Sequence, residues 1–282
     1  MNPDEETRDG FLVTSQRKSL WNCQLNLLRE LLRICSKYNL KVFADAGTLL
    51  GAVRHHGFIP WDDDIDVCMP REDYDKLCRI APTELPSHYF LQNIYTDSAY
   101  PHRHGQLRDS TTTCIDLNGK YPKYNSGIFI DIFILESAPN TFRLINRMVR
   151  KVKARQNRLK IAGKIGNILP SWLYPSEKRI KSLFEKYEST IKSFSNPANN
   201  YVGEISLHLR MHIFNRQLFE KTLYMPFEDM EIPVPVGYDE ILRLNYGDYM
   251  TPVKAPSGHG NLLFDTERSY RDRPDPATLN RL

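Results

Sequence analysis

The stretch that most constrains the fold of this chain is GIFIDIFIL, residues 127–135, a nearly continuous run of aliphatic and aromatic side chains. It lacks the polar alternation of a strand with one solvated face, so it predicts a central strand buried on both faces of a sheet. Asp131 stands alone within this run. A carboxylate at such a position must be paired or bound to a metal, because burying an isolated charge costs too much free energy.

A second group of carboxylates lies upstream, in the sequence WDDDIDVCM. IDVCM (65–69) alternates and predicts a strand, and residues two apart along a strand point to the same side. We therefore expect Asp64 and Asp66 to face the same way. They repel each other unless a divalent cation lies between them, and oxygen ligands favour Mg²⁺ or Mn²⁺. If this strand neighbours 127–135, Asp131 completes the metal site.

Each of these features also has a simpler explanation. A run of aspartates is typical of a solvated loop or a helix cap, and a lone aspartate in a strand can pair with an arginine such as Arg54 or Arg108. The two features together, downstream of a helix that begins with glycine, favour the metal site. We assign Asp62 and Asp63 to the turn, or to tuning of the site, rather than to metal binding.

The segment before the aspartates predicts an anion site. KVFADA (41–46) predicts a short strand that runs into Gly47-Thr48 and the helix TLLGAVRHH. The first N–H groups of a helix and its dipole bind anions, and the Thr48 hydroxyl adds a donor. Arg54 lies one or two helical turns further on, where it can reach a phosphate oxygen.

The remaining periodicity predicts an α/β (α+β) protein. A helical pattern covers residues 15–38, and short strands are predicted for HYFLQNI, GQLRDS and TTTCIDL. After a break near Pro139 the chain becomes mainly helical, with a later strand MEIPVPV and a short helix YDEILRLNYG. We therefore predict a mixed-sheet core with flanking helices in residues 1–139, and a mainly helical region in 140–282 that completes the site.

Composition narrows the class of protein. The chain has 282 residues, of which 41% are hydrophobic and 26% charged, as in globular proteins. There is no apolar run of membrane-spanning length, and the N-terminus is polar and acidic, so we expect a cytoplasmic protein. The net charge of +4 is too small to indicate nucleic-acid binding, and no nucleic-acid-binding motif is present.

The order of strand, Gly-Thr helix, paired aspartates and distant aspartate strand resembles the nucleotidyltransferase fold of the polymerase-β type. More specifically, GTLLGAVRHHGFIPWDDDIDVCMPREDYDKL resembles the first sequence block of the LicD family of phosphotransferases, which includes fukutin-related proteins. GIFIDIFIL resembles the second block of that family, and YDEILRLNYGDYMTP (238–252) its third. One departure is Ala46, which stands where the family pattern leads us to expect glycine.

The resemblance implies transfer of a substituted phosphate, typically phosphocholine from CDP-choline, to a surface glycan or its lipid-linked precursor. Glycans of this kind include lipopolysaccharide, teichoic acid and capsule. Asp64, Asp66 and Asp131 are then expected to hold Mg²⁺ (or Mn²⁺) against the diphosphate. By analogy with the fold, Asp131 takes the proton of the attacking hydroxyl, and CMP leaves. Ribitol phosphate and phosphoethanolamine remain alternative transferred groups.

Five further residues are predicted to bind substrate: Gly47, Thr48, Arg54, Trp61 and Arg108. Trp61 can stack on a base or face a quaternary ammonium group by cation–π attraction, although a packing role fits equally well. Arg71 is a weaker candidate, for the rim of the site. Tyr246 and Tyr249 in the third block fit an aromatic wall for choline or a packing motif between domains.

A basic segment follows the core. Residues 143–164 carry basic side chains and no acid, interleaved with apolar residues, and the segment continues to Trp172, Leu173 and Tyr174. This composition predicts contact of residues 143–174 with anionic lipid or with a lipid-linked acceptor at the inner face of the membrane. The alternative is a basic, solvated helix with one face packed on the core.

Three other functions compete with this one. A glycosyltransferase that binds a nucleotide sugar through its DxD pair predicts a longer Rossmann-like half, but only about sixty residues precede Asp64. A true nucleotidyltransferase would attack the α-phosphorus of a triphosphate and release pyrophosphate. A cation-binding or partner-binding module without enzymatic activity leaves Asp131 unexplained.

Overall fold

The computed structural model describes residues 2, 4–168, 176–206, 212–253 and 262–281, with the side chains of 160–168 excepted. Its helices are α1 Ser15–Tyr38, α2 Ala46–Arg54, α3 Arg71–Glu84, α4 Phe142–Ile168, α5 Glu177–Lys192 and α6 Tyr238–Tyr246. Its strands are β1 Glu6–Arg8, β2 Phe11–Val13, β3 Phe43–Ala44, β4 Asp66–Pro70, β5 Tyr89–Gln92, β6 Gly105–Asp109, β7 Thr113–Asp116, β8 Ile128–Ala138, β9 Tyr201–Glu204, β10 Ile213–Asn215, β11 Thr222–Phe227, β12 Met230–Pro235, β13 Leu262–Asp265 and β14 Asn280–Arg281. This content confirms the predicted α/β class.

The central sheet is organised around β8. Its strand order is β10-β9-β8-β4-β3, and β6 pairs with both β8 and β5. Strand β4 runs parallel to β8 along one edge. On the other edge, β6 pairs with the first half of β8 and β9 with its last residues, both antiparallel. A strand of 11 residues is long enough to hold these two partners one after the other.

Strand β8 is buried on both faces, as the sequence predicted. Ile130, Ile132 and Ile134 alternate with Asp131 and Phe133, so these two sets point to opposite sides of the sheet. The three isoleucines join the large core to which α1 and α3 also contribute. Asp131 and Phe133 line a cavity on the other side. One strand therefore separates the core from the candidate site.

The second half of the chain packs against the same sheet. Helices α4 and α5 form a smaller core with Ala138 at the end of β8. Strands β9 and β10 extend the central sheet, and β13 pairs with β7 from the first half. The domain boundary predicted near Pro139 falls between β8 and α4, and it remains a prediction. Within the described ranges, no helix has both the length and the apolar character needed to cross a bilayer.

Some element limits differ from the prediction. The strand expected over 41–46 is reduced to Phe43–Ala44, because Asp45 already caps helix α2, which begins at Ala46 rather than Thr48. Strand β4 begins at Asp66, so Asp64 lies in the loop before the strand rather than in regular alternation with it. Trp172, Leu173 and Tyr174 lie outside the described residues.

Candidate active site

Two buried acids and an amide form a row across three neighbouring strands. Asp66 of β4 is the register partner of Asp131 on β8, and Gln106 of β6 is its partner on the other side. Gln106 Nε2 donates to Asp131 Oδ1 at 2.7 Å, and His104 Nε2 lies 3.0 Å from the same oxygen. Asp131 is only 2% exposed. The expected juxtaposition of the DxD segment with the aspartate of β8 is therefore confirmed.

Helix α1 holds the aspartate loop in place. The Arg17 guanidinium and the Trp21 indole N–H both donate to the carbonyl of Asp62, at 2.8 and 3.1 Å. Gln24 Nε2 donates to the carbonyl of Asp63 at 2.8 Å. Positions 17, 21 and 24 recur with helical spacing and so lie on one face of α1. Hydrogen-bond donors at this spacing, among the apolar residues of α1, were a signal in the sequence that had not been used.

The three consecutive aspartates converge rather than spreading into solvent. Asp62, Asp63 and Asp64 each offer a carboxylate oxygen, and these atoms lie within 4.8 Å of one another. A Cβ atom at Gly47 would overlap Asp62 Oδ2, so glycine lets this carboxylate approach helix α2. Burial, together with the charge of Asp64, raises the pKa of Asp62 to about 8. Asp62, which was assigned to the turn or to tuning of the site, thus has its carboxylate beside that of Asp64.

The start of α2 is tied to the strand that carries Asp66. Asp45 N donates to the Asp66 carbonyl at 3.0 Å, and its own carboxylate accepts from Ala46 N at 2.9 Å. Thr48 Oγ1 accepts from Asp66 N at 2.8 Å. Ala46 has a φ of +43°, in the left-handed region that favours glycine. The predicted anion-binding hydroxyl of Thr48 therefore also positions an acid of the site.

The acids lie between two cavities. Cavity A has a volume of about 740 Å³ and is lined by polar residues that include Asp64, Asp66, His104, Gln106, Lys120 and Asp131. Cavity B has a volume of about 510 Å³ and is lined by Gly47, Arg54, Trp61, Asp62, Asp64, Asp66, Tyr246 and Tyr249. Asp64 and Asp66 thus face both cavities, whereas Asp131 lines cavity A and not cavity B.

Cavity B brings together most of the predicted substrate-binding residues. Arg54 Nη1 donates to the carbonyl of Tyr249 at 2.6 Å, which joins α2 to the third sequence block. Trp61 packs edge-on against Phe11, with ring centroids 6.3 Å apart, and also lines the cavity. Burial, and then the charges of the nearby aspartates, raise the pKa of Tyr246. The aromatic residues of the third block therefore belong to the wall of this cavity.

Arg108 lines cavity A, but its guanidinium is held by the protein. It donates to the side chains of Gln92 and Gln106 and, at 2.6 Å, to the carbonyl of Gly127. It also lies over the Phe129 ring at 4.6 Å. Through Gln106 it supports the position of Asp131. Contact of Arg108 with substrate remains a prediction.

Arg71 is not at the rim of cavity A or cavity B. It pairs with the buried Glu136 and also contacts Asp75 and Glu188, at 3.1 and 3.2 Å. Glu136 differs from Asp131 by an odd number of positions along β8, so its side chain points to the opposite face of the sheet.

Several polar residues of cavity A were not predicted from the sequence. His102, His104 and Gln106 alternate along the approach to β6, and Glu204 and His212 come from the second half of the chain. Burial, and then the neighbouring His104, lower the pKa of His102 to about 4. The alternation in HRHGQ was a readable signal, but Glu204 and His212 reach the cavity only through the pairing of β8, β9 and β10.

The donor set fits a hard divalent cation. The candidate ligands are carboxylate oxygens from one loop and two adjacent strands, the ligand type that Mg²⁺ and Mn²⁺ prefer. Burial, and then the charge of Asp64, raise the pKa of Asp62, and a cation bound beside these acids would offset their repulsion. Asp64, Asp66 and Asp131 all line cavity A, but the carboxylate oxygens that lie within 4.8 Å of one another are those of Asp62, Asp63 and Asp64. Metal binding by Asp64, Asp66 and Asp131 therefore stays a prediction.

Comparison with known proteins identifies a family domain in part of the chain. Residues 39–143 match a family model described as "LicD/FKTN/FKRP, nucleotidyltransferase domain". The chain contains a LicD family domain. This confirms the resemblance inferred from the sequence, and the matched LicD segment contains Asp64, Asp66 and Asp131. The cavity B residues from the third sequence block lie outside that match.

Two curated proteins illustrate the similarity. The lipopolysaccharide cholinephosphotransferase LicD of Haemophilus influenzae is 29% identical over 243 residues, which cover 80% of this chain and 88% of that protein. An uncharacterized protein of Rickettsia prowazekii, RP689, is 30% identical over 175 residues, which cover 60% of each chain. The first alignment is long enough to include residues beyond the LicD family match.

Proposed function

We propose that this protein is a metal-dependent phosphotransferase that moves phosphocholine from CDP-choline to a hydroxyl of a cell-surface glycan or its lipid-linked precursor. The observation that carries the proposal is the position of the acids between two cavities, with Asp64 and Asp66 facing both and Asp131 facing only one. Displacement at phosphorus needs the attacking and leaving oxygens on opposite sides. Two chambers that meet at the acids suit that requirement.

The donor is assigned to cavity B. Gly47 opens the first turn of α2 there, and Arg54 adds a cation for the diphosphate. Trp61 and Tyr246 provide aromatic faces, and nearby carboxylates add negative charge, a combination that attracts a quaternary ammonium group. The activity named for the Haemophilus influenzae relative supports choline as the alcohol.

The acceptor is assigned to cavity A, because Asp131 lines cavity A and does not line cavity B. Asp131 takes the proton of the sugar hydroxyl while the oxygen forms a bond to the distal phosphorus of the donor. The bond from that phosphorus to the CMP oxygen breaks, and CMP leaves with the electron pair. Gln106 and His104 hold Asp131 Oδ1 in position for this proton transfer.

Asp64, Asp66 and Asp131 are the proposed ligands of Mg²⁺ or Mn²⁺. When bound, the ion neutralises charge on the diphosphate and on the leaving CMP. The protein groups supply its position: Thr48 holds the backbone of Asp66, and helix α1 holds the loop that precedes Asp64. The site thereby keeps hard oxygen ligands together at the junction of the two cavities.

A peripheral contact with the inner face of the membrane is proposed for α4. Met148 and Val152 are buried against the second core, so part of the apolar face is already used. The outward face carries basic residues such as Arg147 and Arg150, and Phe142 is 71% exposed at the start of the helix. Vesicle sedimentation tests this contact: Arg147→Glu/Arg150→Glu should weaken binding to anionic vesicles, and high salt should do the same.

The decisive experiment measures release of CMP from CDP-choline, CDP-ethanolamine and CDP-ribitol, with Mg²⁺, Mn²⁺ or EDTA. Wild type is compared with Asp64→Asn/Asp66→Asn and with a control, Glu72→Gln/Glu177→Gln, which neutralises two exposed acids outside both cavities. Metal-dependent release from CDP-choline, lost in the first double variant and kept in the control, is the expected result.

Other outcomes would redirect the assignment. Preferential release from CDP-ribitol or CDP-ethanolamine would keep the reaction and change the transferred group. No release from any CDP-linked alcohol, with or without a glycan extract, combined with cleavage of a nucleotide sugar, would identify a glycosyltransferase instead.

A further inference from the structure

A third cavity, cavity C, opens beside cavity A. It has a volume of about 440 Å³ and lies between the loop that connects β7 to β8 and a 3₁₀ turn at Tyr270–Asp272. Its aromatic and guanidinium lining consists of Phe90, Tyr121, Tyr124, Tyr270, Arg271 and Arg273. The proposed transfer reaction, as described above, uses none of these residues.

Cavity C adjoins the proposed acceptor chamber. Pro122 and Tyr124 line both cavity A and cavity C, so one loop forms the wall between them. The Tyr124 ring is 5.9 Å from the guanidinium of Arg108, which also lines cavity A. A chain-like molecule with one unit in cavity A can therefore place its next units in cavity C.

Hydrogen bonds to the rest of the fold hold the walls of cavity C. Ser269 Oγ donates to the carbonyl of Ser110 at 2.7 Å, and Tyr270 N donates to the carbonyl of Thr112 at 2.9 Å. The Tyr121 hydroxyl donates to the carbonyl of Pro274 at 2.7 Å. The C-terminal segment is thus anchored against the β7 region, and the cavity is a preformed surface.

The charge of cavity C is mainly positive. Lys123, Arg271 and Arg273 are exposed cations, and neither arginine forms an ion pair with another described residue. The one carboxylate in the lining, Asp97, accepts hydrogen bonds from Gln92 Nε2 and Asn125 N, at 2.9 and 3.0 Å. Guanidinium groups recognise phosphate and carboxylate by paired, charge-assisted hydrogen bonds.

We infer that cavity C binds an anionic part of the acceptor glycan, next to the sugar whose hydroxyl is phosphorylated in cavity A. This assignment rests on the proposed function for the direction of transfer. Aromatic rings give flat faces on which the apolar side of a sugar ring can lie, and the guanidiniums of Arg271 and Arg273 select a phosphate or carboxylate substituent. The ligand class is therefore an acidic oligosaccharide rather than a neutral one.

The first test is kinetic and uses the full chain. Arg271→Gln/Arg273→Gln is compared with Arg281→Gln/Lys178→Gln, which removes two exposed positive charges outside cavity C. The acceptor is deacylated lipopolysaccharide core oligosaccharide, before and after chemical removal of its phosphate groups. We expect the first variant to raise the acceptor KM roughly tenfold or more for the phosphorylated form only, since charged hydrogen bonds are lost.

Hydrolysis of the donor without acceptor should stay within about twofold of wild type in both variants, because cavity B is unchanged. An unchanged acceptor KM in the first variant would overturn the inference. Failure of the proposed function would look different, since wild type itself would then release no CMP from any CDP-linked donor.

The second test does not depend on activity. Calorimetric binding of pentamannose 6-phosphate is compared with binding of pentamannose and of inorganic phosphate. Tighter binding of the phosphorylated sugar than of either control, lost in Arg271→Gln/Arg273→Gln, is expected. If inorganic phosphate bound as tightly as the phosphorylated sugar, cavity C would be an anion site without a sugar subsite, and the inference would be wrong. If the phosphorylated sugar bound the double variant as tightly as wild type, the inference would also be wrong. Tyr270→Leu should weaken binding of the phosphorylated sugar, whereas Tyr270→Phe keeps the ring and should not.

Discussion

Strand β8 carries a buried carboxylate on each of its faces, and the two have different surroundings. Glu136 faces Arg71, whose guanidinium also contacts Asp75 and Glu188. Burial raises the pKa of Glu136, and Arg71 opposes that shift. Asp131 faces cavity A beside Asp66. It accepts a hydrogen bond from Gln106, and His104 Nε2 lies 3.0 Å from the same carboxylate oxygen.

In our proposal, this difference separates a structural acid, Glu136, from a functional one, Asp131. The charge of Glu136 is balanced within the protein by an arginine from α3. Asp131 shares its cavity with Asp64 and Asp66, and burial with the charge of Asp64 raises the pKa of the adjoining Asp62 to about 8. Like charges are placed together where a cation and a diphosphate are expected to bind.

The largest expected difference between the two faces is in catalysis. Asp131→Asn should lower the rate of CMP release by roughly 10³-fold or more, because it removes the proposed base and a metal ligand. Its melting temperature should stay near that of wild type, since Asn keeps an oxygen for Gln106. Glu136→Gln is the matched variant on the other face, and its rate should stay within a few-fold of wild type. Equal rate losses in the two variants would contradict the comparison.

The next largest effect is on the free energy of unfolding, and we expect it on the Glu136 face of the sheet instead of the Asp131 face. Arg71→Met leaves Glu136 buried without its guanidinium and should lower the free energy of unfolding by about 3–5 kcal/mol. Urea denaturation measures this change. The double variant Arg71→Met/Glu136→Gln should regain part of the loss, because no unpaired charge then remains at Glu136. A single-variant loss below about 1 kcal/mol would show that the pair is not structural.

Stabilisation of the protein by metal should depend on the acids at cavity A and not on the ion pair of Arg71 with Glu136. Addition of Mg²⁺ at about 100 times its dissociation constant should add roughly 2.7 kcal/mol to the free energy of unfolding, seen as a higher melting temperature that EDTA reverses. Asp64→Asn/Asp66→Asn should lose this shift, whereas Arg71→Met, though less stable, should keep it. A shift retained in the first double variant would place the metal elsewhere.

The smallest effect concerns backbone strain beside the site. Ala46 has a φ of +43°, so Ala46→Gly should raise the free energy of unfolding by about 1 kcal/mol. Ala44 lies two residues earlier in β3, and Ala44→Gly should lower it by about 0.5–1 kcal/mol. Thermal unfolding of both variants gives the two signs. The same sign in both would argue against strain at Ala46.

Local pattern was sufficient to predict most of the elements. Helix α1 spans Ser15–Tyr38, the range its apolar spacing predicted, and β8 is buried on both faces as its composition required. The limits near the site were less accurate, since α2 begins at Ala46 instead of Thr48. Its first turn is set by the Asp45 cap and by bonds to β4, which residue propensity does not report.

The candidate site could be predicted in part. Asp66 and Asp131 were placed in neighbouring strands by strand periodicity and by the rule that buried acids need partners, whereas Asp64 lies in the loop before β4 and not in the strand that its spacing predicted. Gly47 and Trp61 were assigned from the sequence, but the reason for glycine, close approach of the Asp62 carboxylate, is a contact across the fold. Glu204 and His212 were missed because strands β9 and β10 bring them to cavity A from far along the chain.

By itself, the sequence determined which segments are buried, which acids are placed where burial is costly, and the family to which the matched domain belongs. Only the tertiary structure decided the surroundings of each acid. Arg71 looks like a site residue next to the DxD strand, but the parity of β8 puts its partner Glu136 on the opposite face from Asp131. Electrostatic energy depends on distance and burial, and strand pairing and helix packing, rather than sequence separation, set both.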